Sequence, residues 1–83
     1  PETETIFGYT FEIVETEHMD EELQAYVDFD LYEIGIRSSL SDSDKRKKLR
    51  HEMVHAALII SGIAEVLGDD MEEAVCTCLE HAW

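Results

Sequence analysis

The stretch Lys48-Leu49-Arg50-His51-Glu52-Met53-Val54-His55-Ala56-Ala57-Leu58-Ile59-Ile60-Ser61-Gly62 decides how the rest of the chain must fold. From Met53 to Ile60 it is apolar on nearly every helical face, interrupted by His55, so as a helix it must be the central, buried one. The start signal lies upstream, where Ser41 followed by Asp44 resembles a capping box. The stop lies at Ser61-Gly62, because glycine accepts the left-handed backbone that closes a helix. The only proline is at position 1, so nothing breaks a helix running from about Asp42 to Ile60. The apolar part is far too short to span a bilayer.

Upstream of this helix the hydrophobic period changes from 3.6 to 2. Phe7, Tyr9, Phe11 and Ile13 alternate with polar or small residues, then Ala25, Val27 and Phe29 do so, then Tyr32, Ile34 and Ile36. Three such runs with short connections predict a three-stranded antiparallel sheet. Between the first two runs, Glu15 to Glu22 is acidic and reads as a turn or a short helical piece. Downstream, residues 63–68 read as a linker and Asp69-Asp70 as a second N-cap. Met71, Ala74, Val75, Cys78, Leu79 and Ala82 then form the apolar stripe of a last helix. The expected fold is α+β in a single domain of 83 residues: residues 1–40 form the sheet, and residues 41–83 form two helices.

Charge narrows the choice of partners. Six Lys+Arg stand against 20 Asp+Glu, a formal net charge of -14, and such a surface repels nucleic acid and anionic membranes. Five of the six basic residues lie together as Lys45, Arg46, Lys47, Lys48 and Arg50. They read either as a solvated first part of the central helix or as a contact patch for an acidic segment. No signal peptide is visible, but the chain begins at Pro1 rather than Met, which reads as a trimmed chain or a fragment that could have lost a leader. Cys76 and Cys78 point about 200° apart on a helix and cannot pair, so they read as small buried thiols of a reducing compartment.

His51 and His55 are four apart, so on a helix their rings lie one above the other and can take two tetrahedral positions on one zinc ion. Glu52 lies about 100° around, beside such a metal, where a carboxylate can take a proton from water and return it to a leaving amine. The competing reading is a pair of buried histidines satisfied by ordinary polar partners. A third ligand is needed, and Ser61 stands where a third histidine would be, six residues past His55. The last helix offers Glu72 and Glu73, each of which could equally close a capping box with Asp69 or Asp70.

His51-Glu52-Met53-Val54-His55 followed by a helical glutamate resembles the pattern of the gluzincin metallopeptidases. Leu49 to Ala56, Ser61-Gly62-Ile63 and Glu72-Glu73-Ala74-Val75 look like small phage and prophage metallopeptidase-like proteins of the ImmA/IrrE class. In organisation the resemblance covers Tyr26 to Trp83, and in motifs only the second half. It implies a minimal zincin-like fold, Zn2+ as cofactor, a peptide or protein substrate, and a bacterial or phage-infected cytoplasm. It implies His51, His55 and Glu73 as metal ligands, with Glu72 the alternative third, and Glu52 as catalytic general base. Counting from Glu73 places Cys76, Thr77 and Leu79 at the small, polar and bulky positions that follow the family's ligand glutamate. Thr77 departs from the Asp or Asn that often supports a histidine there. Peptide is expected along an exposed sheet edge, Tyr32 to Arg37, with Tyr26 or Tyr32 as oxyanion donors if they are not simply sheet residues. His18 and His81 read as surface residues, and Trp83 as a core or terminal anchor. The rival functions are a zinc-binding interaction module without turnover and an acidic decoy for a nucleic-acid-binding protein.

Overall fold

In the computed structural model, which describes residues 2–82, the chain runs β1 (Glu2–Ile6), β2 (Tyr9–Thr16), β3 (Ala25–Asp28), β4 (Glu33–Arg37), α1 (Asp42–Ser61), α2 (Ile63–Leu67) and α3 (Asp69–Glu80). The class is α+β, but the sheet is not three-stranded and antiparallel. It has four strands in the order β1-β2-β4-β3, with β2 and β4 parallel and the other two pairs antiparallel. The anchor role expected of Trp83 lies outside the described residues.

Two physical features account for the difference. β1 is Glu-Thr-Glu-Thr-Ile, a strand with almost no apolar face and therefore no hydrophobic period to read. It pairs with β2 across a two-residue turn, Phe7-Gly8, in which both residues have positive φ (48° and 84°), as tight hairpins favour. Phe7 is thus a hairpin tip, 67% exposed, rather than the first residue of a strand. The second feature is the connection from β2 to β3. Residues 17–24 are long enough to carry β3 past one strand spacing of about 4.8 Å, leaving a slot that β4 then fills. The β3–β4 loop is tight, because Asp28 Oδ1 accepts the backbone N–H groups of Asp30 and Leu31. Phe29 therefore leaves the strand and packs edge-on against Phe11, with centroids 5.8 Å apart.

One sheet face builds the core. Ile6, Phe11, Ala25, Ile34 and Ile36 are buried against Ala56 of α1, flanked by Leu49, Met53 and Ile60. Positions 49, 53, 56 and 60 are one helical stripe, so α1 lies across the sheet with a single face in the core. Its ends are as the sequence implies. The Ser41 hydroxyl accepts the Asp44 N–H at 3.2 Å, and Gly62 closes the helix at φ 84°.

The segment beyond α1 departs from expectation. Residues 63–68 are not an unstructured linker, since Ile63–Leu67 forms the short helix α2. The N-cap of α3 is Gly68, whose φ of 79° turns the chain sharply enough for the helix to begin at Asp69. Neither aspartate caps, so the capping boxes with Glu72 and Glu73 do not form, and both aspartates sit in the first turn facing the helix dipole. The inward stripe of α3 is also displaced from the expected one. Met71 is 54% exposed and Cys78 is exposed, whereas Glu72, Val75, Cys76, Leu79 and Glu80 turn inward. Two inward glutamates on a small domain's last helix require partners.

The basic run is partly consumed inside the fold. Lys45 donates to Glu15 at 2.7 Å, Lys48 reaches Glu80 at 3.3 Å, and Arg50 donates to the Glu80 backbone carbonyl. Among the described residues, no helix is long and apolar enough to cross a membrane.

Candidate metal centre

The face of α1 beside the core stripe, roughly 100° around the helix, presents Lys48, His51, Glu52, His55 and Ile59 to an open cleft of about 500 Å³. The opposite wall is the edge strand β3 and the residues just before it, and Glu73 of α3 closes one end.

The inward glutamates of α3 find their partners here. His51 Nδ1 lies 2.8 Å from Glu80 Oε1, and His55 Nδ1 lies 2.6 Å from Glu72 Oε2. A carboxylate accepts only, so each imidazole carries a proton on Nδ1, and in the neutral ring each Nε2 carries a lone pair. Those two Nε2 atoms face one another at 3.2 Å. Glu73 Oε1 completes a triangle with them, 3.2 Å from His51 and 3.0 Å from His55. Three lone-pair donors are thus brought together, and only added protons or a cation can reconcile them.

The triangle has the dimensions of a metal face. Tetrahedral zinc with bonds of about 2.05 Å sets its donor atoms roughly 3.3 Å apart. Each imidazole is also backed by a carboxylate, the arrangement that fixes ring orientation in metal sites. The residues present therefore fit a divalent ion with His51, His55 and Glu73 as ligands. Glu72 occupies the outer side of His55 and brings no oxygen to the triangle in this arrangement. The Thr77 hydroxyl donates to the second Glu73 oxygen at 3.3 Å, while Glu80 and Glu72 are the acids that back the two imidazoles.

Glu52 points into the same cleft. It is 9% exposed, and no side-chain hydrogen bond to it is found among the described residues. Its carboxylate and the two histidines offer ligand atoms within 4.8 Å of one another. Burial pushes the Glu52 carboxyl up, and the two imidazoles pull it only partly back. Burial alone would lower the His55 imidazole, but the carboxylates of Glu72, Glu52 and Glu73 outweigh it and raise it. Burial likewise works to raise Glu73 and Glu80. The imidazoles hold Glu73 below the ordinary range, and Lys48 with His51 does the same for Glu80.

Several other expected residues lie elsewhere. Strand β4 (Glu33–Arg37) is paired on both sides and offers no edge to a peptide; the free edge beside the cleft is β3. Tyr26 lines the cleft as part of the edge strand, but it pairs with Gly35 and donates its hydroxyl to Glu33 at 2.6 Å, which pushes its pKa up to about 12. Tyr32 stacks on Tyr9 at 5.7 Å, at the hairpin end of the sheet. Neither tyrosine is placed as an oxyanion donor. His18 and His81 are exposed. Cys76 is fully buried, which pushes its thiol up to about 12, whereas Cys78 is exposed rather than buried.

The sequence reading missed Glu80 and the outer role of Glu72. Their spacing from Glu73 was a usable signal, since 72, 76 and 80 share one helical face and 73 stands at its margin. Comparison with known proteins assigns no family to this geometry: no family model matches the chain, and no curated protein or solved structure does.

Proposed function

We propose that this chain is a zinc-dependent peptidase of gluzincin type, with His51, His55 and Glu73 holding the metal and Glu52 acting as general base. The observation that carries the reading is the triangle of lone-pair donors at 3.0–3.2 Å beside Glu52, a largely buried residue whose carboxylate accepts no hydrogen bond among the described residues. A divalent metal held by His51, His55 and Glu73 would supply Lewis acidity for a peptide carbonyl and would lower the pKa of water toward about 7.

The protein's own groups carry the remaining steps. Glu80 and Glu72 keep both imidazoles in the Nδ1–H tautomer, so that both Nε2 lone pairs face the centre. Glu52, made more basic by burial, takes a proton from the attacking water and delivers it to the leaving amine as the C–N bond breaks. The unpaired edge of β3 offers backbone N–H and C=O groups to an extended peptide, which would hold its carbonyl over the cleft floor.

The test is cleavage of an unfolded protein and a mixed peptide library by the zinc-loaded chain, read by mass spectrometry. Cleavage should disappear with a chelator and return with zinc. Glu52→Gln should retain zinc and lose turnover by about 10²–10⁴-fold. Intact substrate with the zinc-loaded parent, or equal cleavage by Glu52→Gln, contradicts the proposal.

A further inference from the structure

Residues 17–24 connect β2 to β3, their last three residues line the cleft so that the connection forms its lip, and one cation holds them in place. The Arg37 guanidinium donates to Glu17 at 2.9 Å and to the backbone carbonyls of Asp20 and Leu23 at 2.7 Å each. The second Glu17 oxygen accepts the Ser38 hydroxyl and the Ser39 N–H, at 2.7 and 2.8 Å. Arg37 and Glu17 thereby satisfy each other within the loop.

The remaining acids of this lip are left without a cation. Asp20, Glu21 and Glu22 are exposed, and among the described residues none of them forms an ion pair; Glu22 lines the cleft. Lys48, the basic residue on the opposite wall, is engaged by Glu80. Next to the acidic lip the walls are apolar. Leu23 and Ile59 line the cleft while 41% and 44% exposed, and Val27 of the edge strand lies between half-buried neighbours. At the floor, Glu52 is nine-tenths buried and points into the cleft, and its carboxylate accepts no hydrogen bond among the described residues.

Resting on the peptidase reading above, we propose that the cleft selects an extended segment with a bulky apolar residue over Leu23 and Ile59 and Lys or Arg residues against the Asp20–Glu22 lip. The apolar side chain removes those two exposed side chains from water, and the flanking cations meet carboxylates that nothing else neutralises. A net charge of -14 attracts cations everywhere on this surface, so the local claim is that this lip outweighs other acidic segments of equal charge.

The experiment uses zinc-loaded Glu52→Gln protein, which cannot consume its ligand, and three labelled peptides with the same central Leu-Phe but Arg, Gln or Glu flanks. Binding is read by fluorescence anisotropy. The Arg-flanked peptide should bind most tightly and the Glu-flanked one most weakly. Adding the pair Glu21→Gln and Glu22→Gln should weaken the Arg-flanked peptide roughly three- to ten-fold, as expected for two exposed charges. Adding Glu2→Gln and Glu4→Gln on β1 instead, the same change in net charge, should alter it by less than about two-fold. Equal weakening by both pairs, or no preference among the flanks, overturns the inference. Cleavage of the Arg-flanked peptide by the parent chain reports separately on hydrolysis. An uncleaved peptide that still shows the lip-dependent preference would refute the peptidase reading and support the recognition.

Discussion

The carboxylates of α3 and those of the loop before β3 are the same chemical groups in opposite situations. Glu72 and Glu80 turn inward and each accepts from a histidine, and Glu73 meets both rings at the centre. Asp20, Glu21 and Glu22 are exposed on a loop held by Arg37, and their side chains form no ion pair among the described residues. The difference comes from the elements that carry them. A helix packed against α1 at a fixed distance can deliver three acids to two imidazoles four residues apart, whereas a loop can only present its acids to whatever arrives. The comparison separates acids that build a site from acids that tune what enters it.

Each prediction strikes one side of that contrast. The largest effect is expected at the centre: Glu73→Ala should reduce zinc affinity by more than the roughly 10- to 100-fold that outer partners contribute. Competition against a chromophoric chelator measures it. Glu80→Gln and Glu72→Gln should each fall within that 10- to 100-fold range, because the ring keeps its lone pair but loses its orienting acceptor. If Glu72→Gln and Glu73→Ala lose zinc equally, the division into central and outer acids collapses.

Next in size is stability. The central donors join α1 to α3, so zinc at 100 times its Kd should add about 2.7 kcal/mol. For a domain of this size that raises Tm by roughly 10–20 °C. Hydrogen exchange should show α3 opening first when the metal is stripped. A Tm unchanged by chelation would mean that the helices are not bridged.

The smallest effect belongs to the loop. Hydrogen bonds from Ser38 and then Arg37 lower the Glu17 carboxyl from 4.5 to about 2. A depressed folded-state value stabilises above the ordinary one, so this contribution is present above pH 4.5 and fades as the pH falls toward 2. Parent and Glu17→Gln should therefore differ in Tm above pH 4.5 and converge near pH 2. A constant difference across that window would remove the assigned role.

How much of this was legible in the sequence follows the same division. α1 could be read nearly to the residue, because Ser41, the apolar run and Gly62 are local signals that the tertiary structure leaves intact. The placing of His51 and His55 on one face, with Glu52 about 100° around from His51, follows from helix geometry alone. The partners of that face were not legible. Glu72 and Glu80 look like exposed helix acids until α3 is docked, and the apolar stripe expected from Met71 and Cys78 shows that hydrophobicity misleads where a helix faces a polar centre. In the sheet half, Glu-Thr alternation hid β1, and the order β2-β4-β3 depends on a loop whose length permits skipping a strand without requiring it. Which strand supplies the free edge was therefore beyond any local pattern.

The central claim is that the two Nε2 atoms and Glu73 form a metal site, and zinc binding to the purified chain tests it most directly. Protein stripped of metal is titrated with zinc against a chelating indicator, alongside Glu73→Ala and Glu52→Gln. The account predicts one tightly bound zinc per chain, retained by Glu52→Gln and lost from Glu73→Ala. No zinc bound by the parent, or the same zinc bound by Glu73→Ala, would contradict it.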